Sequence, residues 1–390
     1  MDLTYSEADE AFRAEFRAWL DANLPQEWRT HAFWSTKSES ETFDLRRQWE
    51  ADKAKAGWAG IQWPKEYGGR GGTPSQKAIY DEEMNRAHAP TTVNTLGLTF
   101  LAPTVMAIGT DEQKREIIGP LLRNEVIWCQ GFSEPGAGSD LAALSTRAEL
   151  DGDAYVVNGQ KVWTTNALHA DRMFTMVRTS QESSKHHGIT MLLIDMHADG
   201  VDARPLKQMT GNEEFGEVFL TDVRVPADQV LGEVGAGWNV AMLLLSFERG
   251  SSAIGQYTHF RDQLDAVIAT AKANGKAKDP IIRQRIATIA AELELLKLHS
   301  LHILTQVEQG RELGFESSMT KLQWSETHQD LGELYMDVVG YSGQQVPGTP
   351  TQDLDPLQEM FLWSRSETIW GGSSQVQRNI VAERVLGLPR

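Results

Sequence analysis

The stretch Ile127-Trp-Cys-Gln-Gly-Phe-Ser-Glu-Pro-Gly-Ala-Gly-Ser-Asp-Leu141 joins a β-prone run to a loop of glycines and small hydroxyls. Such a loop lets backbone N–H groups approach a planar or anionic ligand closely. Further on, Val162-Trp-Thr-Thr-Asn166 sets an aromatic face beside Thr164 and Thr165. Taken alone, the two stretches fit either a ligand loop or a tight turn with a Trp buried in a barrel.

The texture on either side differs. From Trp128 to about Val230 come short β-rich runs between turns. Tyr155-Val-Val-Asn-Gly-Gln-Lys-Val-Trp163 puts Asn158-Gly159 between apolar flanks and predicts a hairpin there. Arg172 to Arg178, Ile189 to Asp195 and Glu217 to Leu220 read as further strands. Before this region Phe12, Phe16, Trp19 and Leu20 fall at helical spacing, as do Thr42 to Ala56 and Thr73 to Ala87. Asp111 opens an acidic helix start after Gly109, and the glycine-rich run Gly57 to Gly72 reads as a loop. After Gly237, Trp238 to Phe260, Ile281 to Gln309 and Ser317 to Val339 are long and amphipathic, with Ala273 to Pro280 as a connecting loop. The order predicts a helical domain over 1–127, a β domain over 128–232 and a helical domain over 233–390.

Composition narrows the function classes. The 390 residues carry 37 Lys and Arg against 54 Asp and Glu, a formal charge of −17. With 41% hydrophobic and 23% charged residues this is globular, not disordered, composition. No run of Lys and Arg offers a patch for nucleic-acid phosphates. The single Cys129 excludes a disulfide framework and a Cys-rich zinc site, which fits a reducing compartment. The acidic N-terminus lacks the basic start and apolar core of a signal peptide, and the longest apolar runs are too short to span a bilayer. The expectation is a soluble, cytoplasmic protein.

Several motifs carry little. Gly136-Ala-Gly138 and Gly235-Ala-Gly237 begin like a dinucleotide fingerprint but lack its third glycine and its strand-to-helix setting. Ser318-Met-Thr-Lys321 matches Ser-x-x-Lys without the partner motifs. His299 with His302, and His186-His187, lack the further ligands a metal needs, so no metal is expected.

Together, Ser133-Glu-Pro-Gly-Ala-Gly-Ser-Asp140 and Trp163-Thr-Thr-Asn166 resemble the acyl-CoA dehydrogenase family. Trp63-Pro-Lys-Glu-Tyr-Gly-Gly69, Gly109-Thr-Asp-Glu-Gln-Lys114 and Gly372-Ser-Ser-Gln-Val-Gln-Arg378 extend the resemblance over essentially the whole chain. It implies an α+β multidomain fold: an N-terminal α-helical domain, a central β-barrel domain and a C-terminal four-helix bundle. It also implies FAD as the cofactor, an acyl-CoA oxidised to its trans-2-enoyl thioester, and an electron-transfer flavoprotein as acceptor. By the same resemblance Phe132, Ser133, Trp163 and Thr165 contact the flavin, and Ser373 and Gln375 contact FAD from the C-terminal side. Ser139 and Arg249 fall to the acyl-CoA.

The base is where the chain departs. Most relatives carry Tyr-Glu-Gly-Thr where this chain has Trp370-Gly-Gly-Ser373, so Gly371 stands at the carboxylate position. Gly371 retains a backbone N–H for the thioester carbonyl but takes no proton. A second family solution places the Glu on the first long C-terminal helix, directly before an Arg, and Ser246-Phe-Glu-Arg-Gly250 matches it. Trp238, Ala241, Leu245, Glu248 and Ser252 share one helical face, which makes Glu248 the candidate base on an apolar stripe. A solvated Glu248 paired with Arg249 is the plain alternative.

A second departure concerns assembly. Family homotetramers grip FAD across subunits with Arg-x-x-Phe-Gly and Gln-x-x-Gly-Gly segments. Here the corresponding runs are Ala273-Asn-Gly-Lys-Ala-Lys278 and Asp337-Val-Val-Gly-Tyr-Ser-Gly343. A carboxylate is a poor neighbour for a pyrophosphate unless a cation lies between them. The pattern resembles the heterotetrameric acyl-CoA dehydrogenases of bacterial sterol side-chain catabolism, so both a homotetramer and an α₂β₂ tetramer with a related subunit stay open. Small residues after Glu248 (Gly250, Ser251, Ser252, Ala253, Gly255) leave volume for a branched or ring-bearing acyl group, or serve close helix packing. A flavin-dependent acyl-CoA oxidase and a low-activity structural subunit are the other readings of the same fold.

Overall fold

Hydroxyl caps fix where the N-terminal helices begin. In the computed structural model, which describes residues 5–181, 185–248, 253–311, 314–315, 317–345 and 354–389, Ser38 accepts the Glu41 N–H and Glu41 answers to the Ser38 N–H. That capping box starts α3 (Glu39–Lys55) ahead of the first apolar position, which is why it begins before Thr42. Ser6, Thr73 and Thr110 form the same box for α1 (Glu7–Asn23), α4 (Pro74–Arg86) and α6 (Asp111–Leu122). Short α2 (His31–Trp34) and α5 (Ala102–Ile108) complete this part, with a π-helical turn at Leu96–Leu101. Phe12, Phe16 and Leu20 of α1 pack with Trp49, Trp58 and Ile79 in a separate aromatic core.

Seven strands follow as one curled sheet: β1 (Trp128–Gly131), β2 (Arg147–Asp151), β3 (Ala154–Thr165), β4 (Arg172–Arg178), β5 (Ile189–Asp195), β6 (Val201–Leu206) and β7 (Phe215–Pro226). β4 pairs parallel with β1 and antiparallel with β5, while β2 touches it at Arg147↔Arg178. The path then runs from β2 through β3 and β7 to β6.

The hairpin expected at Asn158-Gly159 is not there. β3 runs unbroken through both residues, Asn158 pairing with Arg147. Its side chain exchanges hydrogen bonds with Asp222 at 2.9 and 3.0 Å. Gly159 serves close approach, not a turn: a Cβ there would lie 2.7 Å from the Thr146 Cα. The turn lies at Gly152-Asp153, between the paired Asp151 and Ala154, with Gly152 at φ 64. A two-residue loop with glycine first suits the strand twist.

One sheet face packs on itself around Cys129, Val157, Val177 and Val218. The other joins the domains, since Phe132, Phe174 and Met191 share a core with Leu101, Ile117 and Leu121 of the N-terminal part. Val240, Ala241 and Leu244 of α7 (Gly237–Glu248) enter that same core. Gly235-Ala-Gly237 is explained by this docking. Ala236 bridges to Ile189, and a Cβ on Gly237 would lie 2.6 Å from the Thr190 carbonyl carbon.

Of the stretch expected as a helix from Trp238 to Phe260, α7 and α8 (Ala253–Ala273) are helical, and residues 249–252 lie outside the described residues. With α9 (Pro280–Glu308), α10 (Ser317–Val339) and α11 (Pro356–Glu367), α8 closes a bundle around Phe260, Leu264, Leu293, Leu331 and Met360. Short α12 (Ser374–Ile380) packs on α10. Gly159→Ala should destabilise by about 1–3 kcal/mol through overpacking. Gly136→Ala, whose Cβ meets nothing within 4 Å, should stay within about 0.5 kcal/mol. Denaturant midpoints of the two variants check the contrast.

Candidate active site

β1 ends at Gly131, and Phe132 and Ser133 follow where the chain leaves the sheet. Glu134 N–H donates to the Ala137 carbonyl and Ala137 N–H to the Glu134 carbonyl, both at 3.0 Å, so Pro135-Gly136 form a tight turn. Beneath it lies a buried ion pair. Lys161 Nζ, on β3, donates to Glu134 Oε1 at 2.8 Å, to the Met176 carbonyl at 2.7 Å and to the Phe132 carbonyl at 3.3 Å. Glu134 also accepts from the Ser145 N–H at 2.6 Å, the Ser145 hydroxyl at 2.8 Å and the Thr146 N–H at 3.0 Å. Each ammonium hydrogen has an acceptor, as a charge taken out of water requires. Burial works to raise the Glu134 carboxyl, but the Lys161 charge and the Thr146 and Ser145 donors hold it down at about 2. Burial pulls the Lys161 ammonium down to about 8, against the attraction of Glu134. Both groups are therefore charged at neutral pH.

The pair sits under a bulge. Lys161 pairs with Val218 but Thr164 with Gly216, so β3 carries one residue more than β7 across this step. Trp163 takes up the excess at φ 59, with 60% of its surface exposed. A bulky residue in the left-handed region costs on the order of 1–3 kcal/mol and persists where function uses it. Val162 N–H donates to the Ser133 carbonyl at 2.9 Å, tying the bulge to the loop. The Trp163 ring meets the edge of Phe215 at 6.2 Å, and Phe215 stacks on Trp363 of α11 at 6.1 Å.

From α11 the chain enters a turn in which Gly371 and Gly372 lie at φ 63 and 88. Gln377 Nε2 holds it, donating to the Gly371 carbonyl at 2.9 Å and the Gly372 carbonyl at 3.4 Å. Ser373 caps α12 by accepting the Val376 N–H at 3.3 Å, and Gln375 is exposed on its first turn. Among the described residues, the Ser133 and Thr165 hydroxyls and the Gly371 N–H find no acceptor. A Cβ on Gly136 or Gly138 would meet nothing within 4 Å. Two clusters result, Phe132, Ser133, Trp163 and Thr165 on the sheet and Gly371, Ser373 and Gln375 beside α12, linked through the Phe215–Trp363 stack.

The acyl-CoA dehydrogenase N-terminal, middle and C-terminal domain families match residues 6–125, 129–223 and 235–386. Acyl-CoA dehydrogenase IpdE1 of Mycobacterium tuberculosis (strain ATCC 25618 / H37Rv) is 42% identical over 382 residues, 98% of each chain. The chain belongs to the acyl-CoA dehydrogenase family. The IpdE1 of Mycolicibacterium smegmatis is 41% identical over 390 residues, 97% of each chain. Among solved structures, the Tcur3481-Tcur3483 steroid ACAD superposes with a TM-score of 0.85 at 31% identity, covering 100% of both chains. The ChsE4-ChsE5 complex from Mycobacterium tuberculosis gives 0.85 at 30%, again over 100% of both. Acyl-CoA dehydrogenases are FAD-dependent oxidoreductases. The residues present fit that cofactor: an exposed indole face, unspent donors on both clusters and glycines open to a close-lying ligand.

In this acyl-CoA dehydrogenase α7 is described as far as Glu248, and its Ala241 and Leu244 share the core of Phe132. The Glu248 side chain and the whole of Arg249 lie outside the described residues. Ser139 is exposed on the loop, next to Asp140, which pairs with Lys185 at 2.6 Å. Asp337 pairs with Arg285 of α9. Tyr341, at the position of a family glycine, is 88% exposed. Among the described residues no helix is long and apolar enough to cross a membrane, and no cluster of His, Cys, Asp and Glu could hold a metal.

Sequence reading passed over Lys161, Phe215, Trp363 and Arg285. Lys161 left a signal, a cation at an inward position of a strand. Glu134 contributes stability that is whole above the ordinary carboxylate range and disappears as pH falls toward about 2. Glu134→Gln should therefore lower the urea midpoint most above pH ~5, and the gap should close as wild-type Glu134 is protonated. Urea titrations of both proteins across that acid range test it.

Proposed function

We propose that this chain oxidises an acyl-CoA thioester with Glu248 as the base and Gly371 as a carbonyl-binding group. The supporting observation is the placement of α7. Its inward face, through Ala241 and Leu244, shares a core with Phe132, and the helix is described as far as Glu248. Gly371 supplies no carboxylate, which leaves Glu248 as the proton acceptor that the resemblance provides. On this reading Glu248 takes the α-proton while the Gly371 N–H receives the charge growing on the thioester oxygen. FAD, when bound, accepts the β-hydride and leaves the trans-2-enoyl thioester. Trp163, Ser133 and Thr165 hold and orient it, and the desolvated core around Phe132 keeps water from the reacting carbons.

Glu248→Gln should bind FAD normally, while anaerobic bleaching by acyl-CoA slows about 10²–10⁴-fold, the usual cost of losing a general base. Bleaching at the wild-type rate would remove Glu248 from the role. Rapid peroxide formation in air by the wild type would instead mark an oxidase.

We infer further that the acyl group is bulky, of the steroid type, and that FAD is completed by an unlike related chain. The support is likeness to the steroid ACAD and to the ChsE4-ChsE5 complex, together with Asp337 and the exposed Tyr341 where the family has glutamine and glycine. Purified alone, the chain should carry substoichiometric FAD, and co-expression with the related subunit should restore it. A tetramer of this chain alone with full FAD would overturn the two-subunit reading.

A further inference from the structure

Behind the Gly371 turn, the bundle holds a polar chain, buried at His328 and Glu367, that neither the fold nor the chemistry above accounts for. His328 of α10 is 3% exposed and Glu367, the last residue of α11, 5%. His328 Nδ1 faces Glu367 Oε2 at 2.5 Å. Its Nε2 faces the side-chain amide of Gln263 on α8 at 2.9 Å, and that amide reaches His259 Nε2 at 3.1 Å. The imidazole lies on Phe260 with ring centroids 4.0 Å apart and planes 19° apart. Whichever way the Gln263 amide is turned, Nδ1 looks at a carboxylate and must carry the hydrogen. An apolar pair would fill the same space without the desolvation cost of two polar groups.

Glu367 is held at both ends. Its carboxylate meets His328, and its backbone carbonyl accepts from Lys321 of the same helix. The next residue is tied too, because Gln329 Nε2 donates to the Thr368 hydroxyl at 2.9 Å and Ser374 N–H to the Thr368 carbonyl at 2.9 Å. Trp370 rests on Trp324 at 5.6 Å. Lys321, Trp324, His328 and Gln329 thus form one face of α10 that grips Glu367 to Trp370, directly before Gly371. Gln263 extends the grip to α8, the helix that follows Glu248 in the chain.

We propose that His328 and Glu367 are a positioning pair that fixes the turn presenting the Gly371 N–H. The proposal rests on the dehydrogenase reading above. A displacement of about 1 Å at such a group can cost on the order of 10²-fold in rate. Asn carries its amide nitrogen where histidine has Nδ1, whereas Gln reaches the Nε2 position. His328→Asn keeps the tie to Glu367; His328→Gln and His328→Phe break it.

The experiment compares kcat, KM and hydrogen exchange of residues 368–376 for the holoenzyme and the three variants. His328→Gln and His328→Phe should lose about 10- to 100-fold in kcat with KM nearly unchanged, and exchange in the turn should quicken. His328→Asn should recover most of the kcat and the slow exchange. Equal losses in Asn and Gln, or losses only in melting temperature, would make His328 a filler of the core and overturn the proposal. If the exchange order holds but wild-type protein bleaches with no acyl-CoA, the dehydrogenase reading falls and the clamp on the turn stands. Should His328→Phe fail to fold, the Asn and Gln pair still decides the matter.

Discussion

A lysine with no water contact organises the candidate site. Lys161 has three acceptors in reach, and two of them are the Phe132 carbonyl and the Glu134 carboxylate. Unpaired, that ammonium would cost several kcal/mol, so the chain around it has few alternatives. The turn at Pro135-Gly136, the bulge at Trp163 and the hydrogen bond between Val162 and Ser133 all lie within its neighbourhood. The pair converts a glycine-rich loop, which would otherwise be loosely specified, into a fixed edge beside the exposed indole.

Fold and site differ in how far the sequence exposes them. Helical periodicity marks α10, capping residues mark α3, α4 and α6, and apolar runs mark β4 and β5 as they stand. Asn158-Gly159 misleads because local turn chemistry cannot register Thr146, which is distant in pattern but packed against Gly159. Aromatic links such as Phe215–Trp363 and cations such as Arg285 are equally illegible, since each joins residues that only tertiary packing brings together. Gly371 is legible by a different route. What stands out there is the absence of a carboxylate, and its φ of 63 shows a turn that glycine suits for reasons of backbone geometry as well.

On the proposed reading, the chemistry divides between elements of different character. Hydroxyls and an indole come from the sheet and the loop that leaves it, the backbone donor from the turn before α12, and the base from Glu248 of α7. Each is carried by a regular element or anchored to one, which suits groups that must meet an acyl thioester within a few tenths of an ångström. It also separates the proton acceptor from the carbonyl donor in sequence, so each can vary without dragging the other.

The loop from Glu134 to Asp140 is tethered at both ends, but by ties of different kinds. At one end the Lys161–Glu134 pair is buried, where dissolved ions do not reach it. At the other, Asp140 and Lys185 are more than half exposed at 59% and 54%, and their attraction is screened as ionic strength rises. The loop is a leaf fixed at its stem and latched at its tip, and only the latch responds to salt. The sheet end of the site therefore keeps its shape as ionic strength rises, while the segment holding Gly138 and Ser139 is held less firmly in concentrated salt.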